Sequence, residues 1–464
     1  MQKLTKITAS IGTASEKPTV LQKMIESGVN VCRLNFSHDT RAVQGAKFDA
    51  IRKIAKKLGR PIAIVADMQG PKHRIGDFKT EDRYPLKPGQ EFILDNNPER
   101  GDSTRVYLPD RDVLNSLKVG DRVLLNDGKI ELEIIKNANC KPHIASCSVT
   151  TRVIRGTEIW SRRGFNLPDT KVLTSILTPK DRIDLEYALD KKPDFVAISF
   201  VQKPEDIEEV RDFINARTSL PVKIIAKIER PQALDRIEDI VGVSDAIMFA
   251  RGDLAVEVPF ERLPALQRKL IRICRNMNRP IIVATQMLGS MVHSDFPLRA
   301  EISDVANAAY LRADSTMTSE ETTISDNPVN VIETMAKILA NADEDSIENH
   351  YDWSQVENMP ENDWSRSVAN MACLNKAAGI VVFDRSGKIA TDISCRRPDM
   401  PIIAVCNQEI VANQLCLSRG VQPMFDEAAF GQRNINAACE FVGISRGKIV
   451  VVDDEAISLA EINH

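Results

Sequence analysis

No stretch of this chain is apolar over anything near the roughly 20 residues that a membrane-spanning helix requires. The opening MQKLTKITAS lacks the apolar core of a signal peptide. Charge of one sign is missing as well: 61 Lys and Arg stand against 65 Asp and Glu, a formal net charge of −4. That balance offers no electrostatic footprint for nucleic acid or an anionic membrane. The nine cysteines include no CxxC pair and the six histidines no HxxxH, which removes the usual spacings of a structural zinc site. The cysteines read as reduced, mostly buried residues of a cytoplasmic protein. What remains is an ordinary globular composition, 43% hydrophobic and 27% charged, and a length of 464 residues that suits about three domains.

One stretch organises the rest: KIIAKIERPQALDRIEDIVGVSDAIMFARGDLAVEVPFE, residues 223–261. KIIAKIE and DAIMFA are short apolar runs that read as buried strands. The segment between them has helical spacing, with Ala233, Leu234, Ile237, Ile240 and Val241 on one face. Strand, helix, strand is the signature of a parallel α/β sheet. Lys227 and Glu229 lie two apart at the end of the first strand and so share a face. The second strand runs into Ala250, Arg251, Gly252 and Asp253. In a parallel barrel, the C-terminal strand ends line the site. One ammonium and two carboxylates, Glu229 and Asp253, would then converge. Two carboxylates with few other protein ligands suit Mg²⁺ (or Mn²⁺), which takes its remaining oxygens from water and substrate. A lysine beside such a metal suits phosphoryl transfer. Gly252 lets backbone amides approach a small anion, and a helical turn after it would favour that anion. A structural ion pair and a helix cap would explain any one of these residues, but less readily all of them in this order. The RGD tripeptide is read as coincidental.

Along the whole chain, TKITASI, VNVCRLNF, PIAIVAD, PDFVAISF, VKIIAKIE, DAIMFA, PIIVAT and ADSTMT count as eight strands separated by helical patterns. That predicts a (β/α)₈ barrel of the TIM type, formed by residues 1–69 and 167–341. Between them, residues 70–166 change character, with short strands and recurring turn signals; Asp127-Gly128 is a hairpin signal. They read as an inserted small β-barrel lid domain. After a polar stretch, NADEDSIENHYDWSQVENMPEND, taken as a linker or crossing helix, residues 342–464 form a C-terminal α/β domain.

IIAKIE, ARGDL, RLNFSH and the later IIVATQML…RAEISDVANA resemble the motifs of pyruvate kinase, and the likeness extends over nearly the whole chain. The resemblance implies transfer of the phosphoryl group of phosphoenolpyruvate to ADP, giving ATP and pyruvate, with Mg²⁺ held by Glu229 and Asp253. It implies that Lys227 and Arg33 neutralise the transferring group. Amides around Ala250, Arg251 and Gly252, with Thr285, would bind the substrate carboxylate. Thr285 would also join proton delivery to the enolate. Asn35, Ser37, Asp67 and Met68 correspond to the family's monovalent-cation pocket. Asn35, His38, Arg74 and Arg163 correspond to its nucleotide contacts. Closure of the inserted domain over the site, and assembly as a homotetramer, are expected from the same likeness.

Departures from the family pattern carry their own expectations. DMQGPKHRIG replaces DTKGPEIRTG, so Gln69 stands for a lysine and Lys72 for a glutamate. An ammonium there opposes K⁺, and Lys72 is expected to take its place; this resembles the branch that does not require K⁺. In the last strand, Arg312 and Glu320 replace small residues, and Thr316 and Thr318 replace apolar ones, which points to an impaired or retuned enzyme. The turn Asp384-Arg385-Ser386-Gly387-Lys388 stands where the family can hold an activating sugar phosphate, and Asp384 is a poor neighbour for one. Two other readings stay open: another Mg-dependent phosphoenolpyruvate or pyruvate barrel enzyme such as a lyase, and a non-catalytic phosphoenolpyruvate sensor.

Overall fold

The computed structural model describes residues 3–80, 83–126, 128–137, 147–170, 175–348, 363–453 and 456–463. Eight parallel strands, Lys6–Ser10, Val31–Asn35, Ala63–Asp67, Phe195–Ile198, Lys223–Ile228, Ala246–Ala250, Ile281–Ala284 and Ser315–Thr318, close on themselves in sequence order. Both faces of each strand are buried, so the strands read as near-continuous apolar runs rather than as an alternation. Inward positions such as Val31, Val65, Ala197, Ile225, Met248 and Met317 fill the barrel. Outward ones such as Ile7, Leu34, Ile64, Ile224 and Val283 pack under the helices. The helices start and stop where local chemistry directs. Thr40 caps Arg41–Leu58 by accepting from the Val43 amide, and Gly59, at φ 62°, ends it. Among the described residues no helix is long and apolar enough to cross a membrane.

The segment between the fifth and sixth strands is two helices, not one. Pro231–Asp235 and Ile237–Val243 are separated by Arg236, which leaves helical dihedrals at φ −123°, ψ 33°. Its guanidinium instead bonds Asp239 and Glu205. The expected face survives the break: Ala233, Ile237, Ile240 and Val241 are buried and Leu234 is half-buried.

After the third strand comes a separate β unit. Its six-stranded sheet includes Glu91–Asp95, Ile130–Lys136 and Ser148–Arg155 around its own core of Phe92, Leu132, Ile134 and Val149. Arg122–Leu125 and Ile130–Lys136 pair antiparallel, and Gly128 between them has φ 77°. Asp127, the other half of that hairpin signal, lies outside the described residues. Cys147 in this unit is disulfide-bonded, whereas the other described cysteines are free. This corrects the expectation of reduced cysteines throughout, which rested on CxxC spacing alone and so did not test wider pairings.

The C-terminal unit is a five-stranded sheet, parallel except for its last strand, Ile457–Asn463. The polar stretch before it begins as the end of helix Pro328–Glu348, and residues 349–362 lie outside the description. This unit seals the N-terminal end of the barrel. Cys416 and Leu417 belong to the same apolar cluster as the barrel's inward residues. Arg397 pairs with Asp314 at 2.6 Å with both side chains fully buried, and Asp314 also accepts from the amides of Ile281 and Arg419. The Arg419 guanidinium reaches Asp343, which caps the amides of Leu4 and Thr5. Arg312 belongs to this interface. It precedes the eighth strand, at the end opposite the C-terminal mouth, and donates to Asp399 and to the Arg397 carbonyl. Arg312 is therefore part of this joint and not of the C-terminal mouth.

Removing one partner of a buried pair leaves an uncompensated charge. Arg397→Ala is expected to lower stability by about 3–5 kcal/mol in chemical denaturation. Arg236→Ala, at an exposed pair, should leave the denaturation midpoint nearly unchanged. Equal shifts for the two variants would show that the buried pair does not hold the units together.

Candidate active site

Parallel register brings the strand ends level. Ser10 lies opposite Arg33, and Asn35 opposite Asp67, while Asp67 also faces Ala197 on the fourth strand. Inward side chains at this level therefore meet across the barrel axis. The Arg33 guanidinium donates to Asp67 Oδ2 at 2.6 Å and to Ser10 Oγ at 2.8 Å. Lys227 Nζ lies 3.2 Å from Asp67 Oδ1, 3.0 Å from Glu229 Oε1 and 2.6 Å from Ser199 Oγ. The amide of Phe200 donates to Glu229 Oε2 at 2.8 Å. All four charged side chains are buried.

Burial and pairing act against each other here. Burial alone would lower the Lys227 ammonium, but Asp67 and Glu229 hold it above its ordinary value. Burial would raise Asp67, yet Lys227 and Arg33 keep it below the usual carboxylate range. Glu229 goes the other way: burial pushes it up, Lys227 opposes, and the nearby carboxylates Asp253 and Asp67 add to the rise. The mouth thus sets a lysine held charged by its carboxylate neighbours beside a glutamate whose ionised form burial disfavours.

Above this cluster a cavity of about 210 Å³ brings together Arg33, Asn35, Ser37, His38, Lys72, Arg74, Lys227, Glu229 and Asp253. Lys72 Nζ stands 3.4 Å from Asp253 Oδ1. Arg74 donates to the Arg162 carbonyl in the β unit. Asn35 Oδ1 accepts from the Ser37 amide. Met68 is buried, and its carbonyl accepts from Ser199 Oγ. Arg163 does not line this cavity; its guanidinium lies 4.9 Å from the centre of the Trp160 ring.

The sixth strand passes at Ala250 directly into helix Arg251–Glu257. The Gly252 amide donates to Thr285 Oγ1 at 2.8 Å. The Arg251 side chain turns away from the mouth and pins the loop after the seventh strand, donating to the carbonyls of Ala284 and Thr285 and to Asp304. Thr285 itself is held at φ 74° and Gln286 at φ 53°, a strained conformation for a β-branched residue. Two polar groups in this arrangement were not picked out from sequence, Ser10 and Ser199. Each is a small polar residue at the C-terminal end of a barrel strand otherwise built of apolar residues, and that placement is the signal that could have found them.

Glu320, exposed, lines a groove on the other side of Arg33. Thr318 is buried, its hydroxyl 3.0 Å from that of Thr322. Thr316 faces outward against Met335.

The geometry can neutralise a multiply charged oxyanion with Arg33, Lys227, Lys72 and Arg74. It can also offer two carboxylates to a hard cation, and the Gly252 region to a small anion. Thr285→Gly and Thr285→Val both orphan the Gly252 amide, a loss of about 1–3 kcal/mol. Only the glycine variant also relieves strain of about 1–3 kcal/mol, so it is expected to be the more stable of the two. Urea unfolding of both variants decides; a less stable glycine variant would count against stored strain.

Residues 2–332 match the family pattern described as pyruvate kinase, barrel domain, and residues 362–462 match pyruvate kinase, alpha/beta domain. A pyruvate kinase of Agrobacterium vitis is 41% identical over 426 residues, covering 90% of this chain and 86% of that protein. One from Methylorubrum extorquens is 38% identical over 432 residues, covering 92% and 87%. A crystal structure of a pyruvate kinase from Cryptosporidium parvum superposes with a TM-score of 0.90 at 28% identity, covering 99% of this chain and 96% of that one.

Proposed function

We infer the activity from one premise: the chain belongs to the pyruvate kinase family. On that premise it transfers the phosphoryl group of phosphoenolpyruvate to ADP. The bond from phosphorus to the enol oxygen breaks, an oxygen of the ADP β-phosphate takes the phosphorus, and the enolate carbon is protonated to give pyruvate and ATP. The observation that carries this reading is the buried Arg33–Asp67–Lys227–Glu229 cluster under a cavity that also holds Lys72, Arg74 and Asp253.

Lys227 and Arg33 would receive the negative charge of the transferring group, already oriented by Asp67, Ser199 and Ser10, so that no rearrangement is needed at the moment of transfer. Amides at Ala250, Arg251 and Gly252, with Thr285, would hold the substrate carboxylate, and the Thr285 hydroxyl would serve in proton delivery to the enolate. Asn35, His38, Arg74 and Arg163 would meet the nucleotide, with residues 70–166 as the lid. Glu229 and Asp253 fit Mg²⁺ or Mn²⁺. They are carboxylate oxygen donors lining one cavity, the donor chemistry that such a hard cation takes. When bound, such an ion supplies charge neutralisation for the phosphoryl oxygens.

The proposal includes independence from K⁺. The groups of a monovalent-cation pocket are already engaged: Asp67 with Arg33 and Lys227, and Asn35 with the Ser37 amide. Lys72 adds an ammonium to the same cavity. Weak activation by fructose 1,6-bisphosphate is also proposed, because Asp384 already accepts from the amides of Ser386, Gly387 and Ala390, those a phosphate would need. Cytoplasmic residence and assembly as a homotetramer complete the reading.

Pyruvate formation from phosphoenolpyruvate and ADP with Mg²⁺ is the test, run in K⁺ and in a tetraalkylammonium salt at equal ionic strength. Equal rates are expected in both. Several-fold activation by K⁺ would remove Lys72 from the role of built-in cation, and absence of turnover with phosphoenolpyruvate still bound would favour the sensor. Lys227→Met is expected to lower kcat about 10²–10³-fold; a smaller loss would place the transferring group elsewhere.

A further inference from the structure

A second groove, of about 470 Å³, adjoins the catalytic cavity and shares Arg33, Asn35 and His38 with it. Its charge is graded. The shared wall is cationic, and beyond it lie Lys72, Arg74 and Lys227. The lining it does not share carries two acids, Asp39 and Glu320, and an apolar surface from Ile11 and Ile324. The acids differ in availability. Asp39 is taken by Lys47 at 2.7 Å. Glu320 is exposed at the groove, and among the described residues no hydrogen bond or ion pair occupies its carboxylate.

A nucleoside diphosphate is graded in the same sense: phosphates at one end, hydroxyl donors on the sugar, and a flat, largely apolar base. With its phosphates at the shared residues Arg33, Asn35 and His38, its nucleoside would lie in the lining that the groove does not share, which includes Glu320 and Ile324. An ionised carboxylate only accepts hydrogen bonds. It therefore favours a group with hydroxyls to donate and gains nothing from a sugar without them.

We propose that Glu320 is a specificity-determining residue that accepts from the ribose hydroxyls of the acceptor nucleotide, so that the chain selects ribonucleotides over their deoxy analogues. The proposal rests on the kinase reading above and adds to it a role for a side chain that this chain has where the family pattern it resembles has a small residue.

The experiment compares ADP, 2′-deoxy-ADP and 3′-deoxy-ADP with the full chain and its Glu320→Ala and Glu320→Gln variants. Apparent KM in the turnover assay and calorimetric Kd would be read for each. The full chain is expected to favour ADP over at least one deoxy analogue by about tenfold. Glu320→Ala should bring that ratio near one, and Glu320→Gln, whose amide oxygen still accepts, should keep part of it. The proposal is overturned if the original chain shows no preference, or if Glu320→Ala keeps it. It is equally overturned if the alanine variant tightens all three nucleotides by the same factor, since Glu320 would then act only as a repulsive charge. If no nucleotide turns over but the calorimetric preference is present and lost in Glu320→Ala, the kinase reading fails and the role of Glu320 stands.

Discussion

The structure depends on a group of four charges, Arg33, Asp67, Lys227 and Glu229, held nearly out of water at the C-terminal end of a parallel barrel. Burying charges costs several kcal/mol each even after relaxation. The cost is tolerable because every member has an opposite charge within about 3 Å and neutral groups take up further bonding capacity: Ser10 for Arg33, Ser199 for Lys227, the Phe200 amide for Glu229. Those partners come from five different strands or strand ends, so the cluster exists only when the barrel is closed. Closure therefore does two things at once, burying the apolar interior and positioning cations whose charge is directed to the cavity above.

The two ends of the barrel use the same kind of interaction for opposite purposes. At the N-terminal end, Asp314 and Asp343 are saturated by arginines and backbone amides, and Cys416 and Leu417 fill the space between. The two carboxylates each accept four hydrogen bonds there, and the result is a joint between barrel and C-terminal unit. At the C-terminal end the balance is incomplete: Glu229 sits high, Asp253 is only partly buried with Lys72 at 3.4 Å, and a cavity remains. Saturation gives a joint, and its absence gives a site that a charged ligand can complete.

Much of this was legible because its signals are local. The spacing of Lys227 and Glu229, the glycine at 252 and the eight short apolar runs each declare themselves within a few residues. What was not legible depends on distance or on competing contacts. Lys227 meets Asp67 across strands 160 positions apart, and Ser199 matters only because it lies beneath that ammonium. The helix after the fifth strand has the right apolar spacing, but Arg236 finds carboxylates on either side and breaks it. Thr285 carries no sign of its φ of 74°, which arises from the loop that Arg251 pins from below.

The departures of this chain from its family's pattern divide by the end of the barrel on which they fall. Arg312 lies before the eighth strand and is absorbed into the interface with Asp399 and the Arg397 carbonyl. Thr316 faces outward to Met335, and Thr318 finds Thr322, whose hydroxyl in turn donates to the Ser10 carbonyl. Each is satisfied inside the protein and presents no free group to a ligand. Lys72 and Glu320 come after their strands, and both project into open cavities. A substitution in a parallel barrel is thus read first by its position along the strand: before it, the change is absorbed by packing, and after it, the change alters what the site can bind. By that criterion this chain keeps a closed charge cluster of Arg33, Asp67, Lys227 and Glu229 and differs in the groups around it, Lys72 beside Asp253 and Glu320 in the adjoining groove.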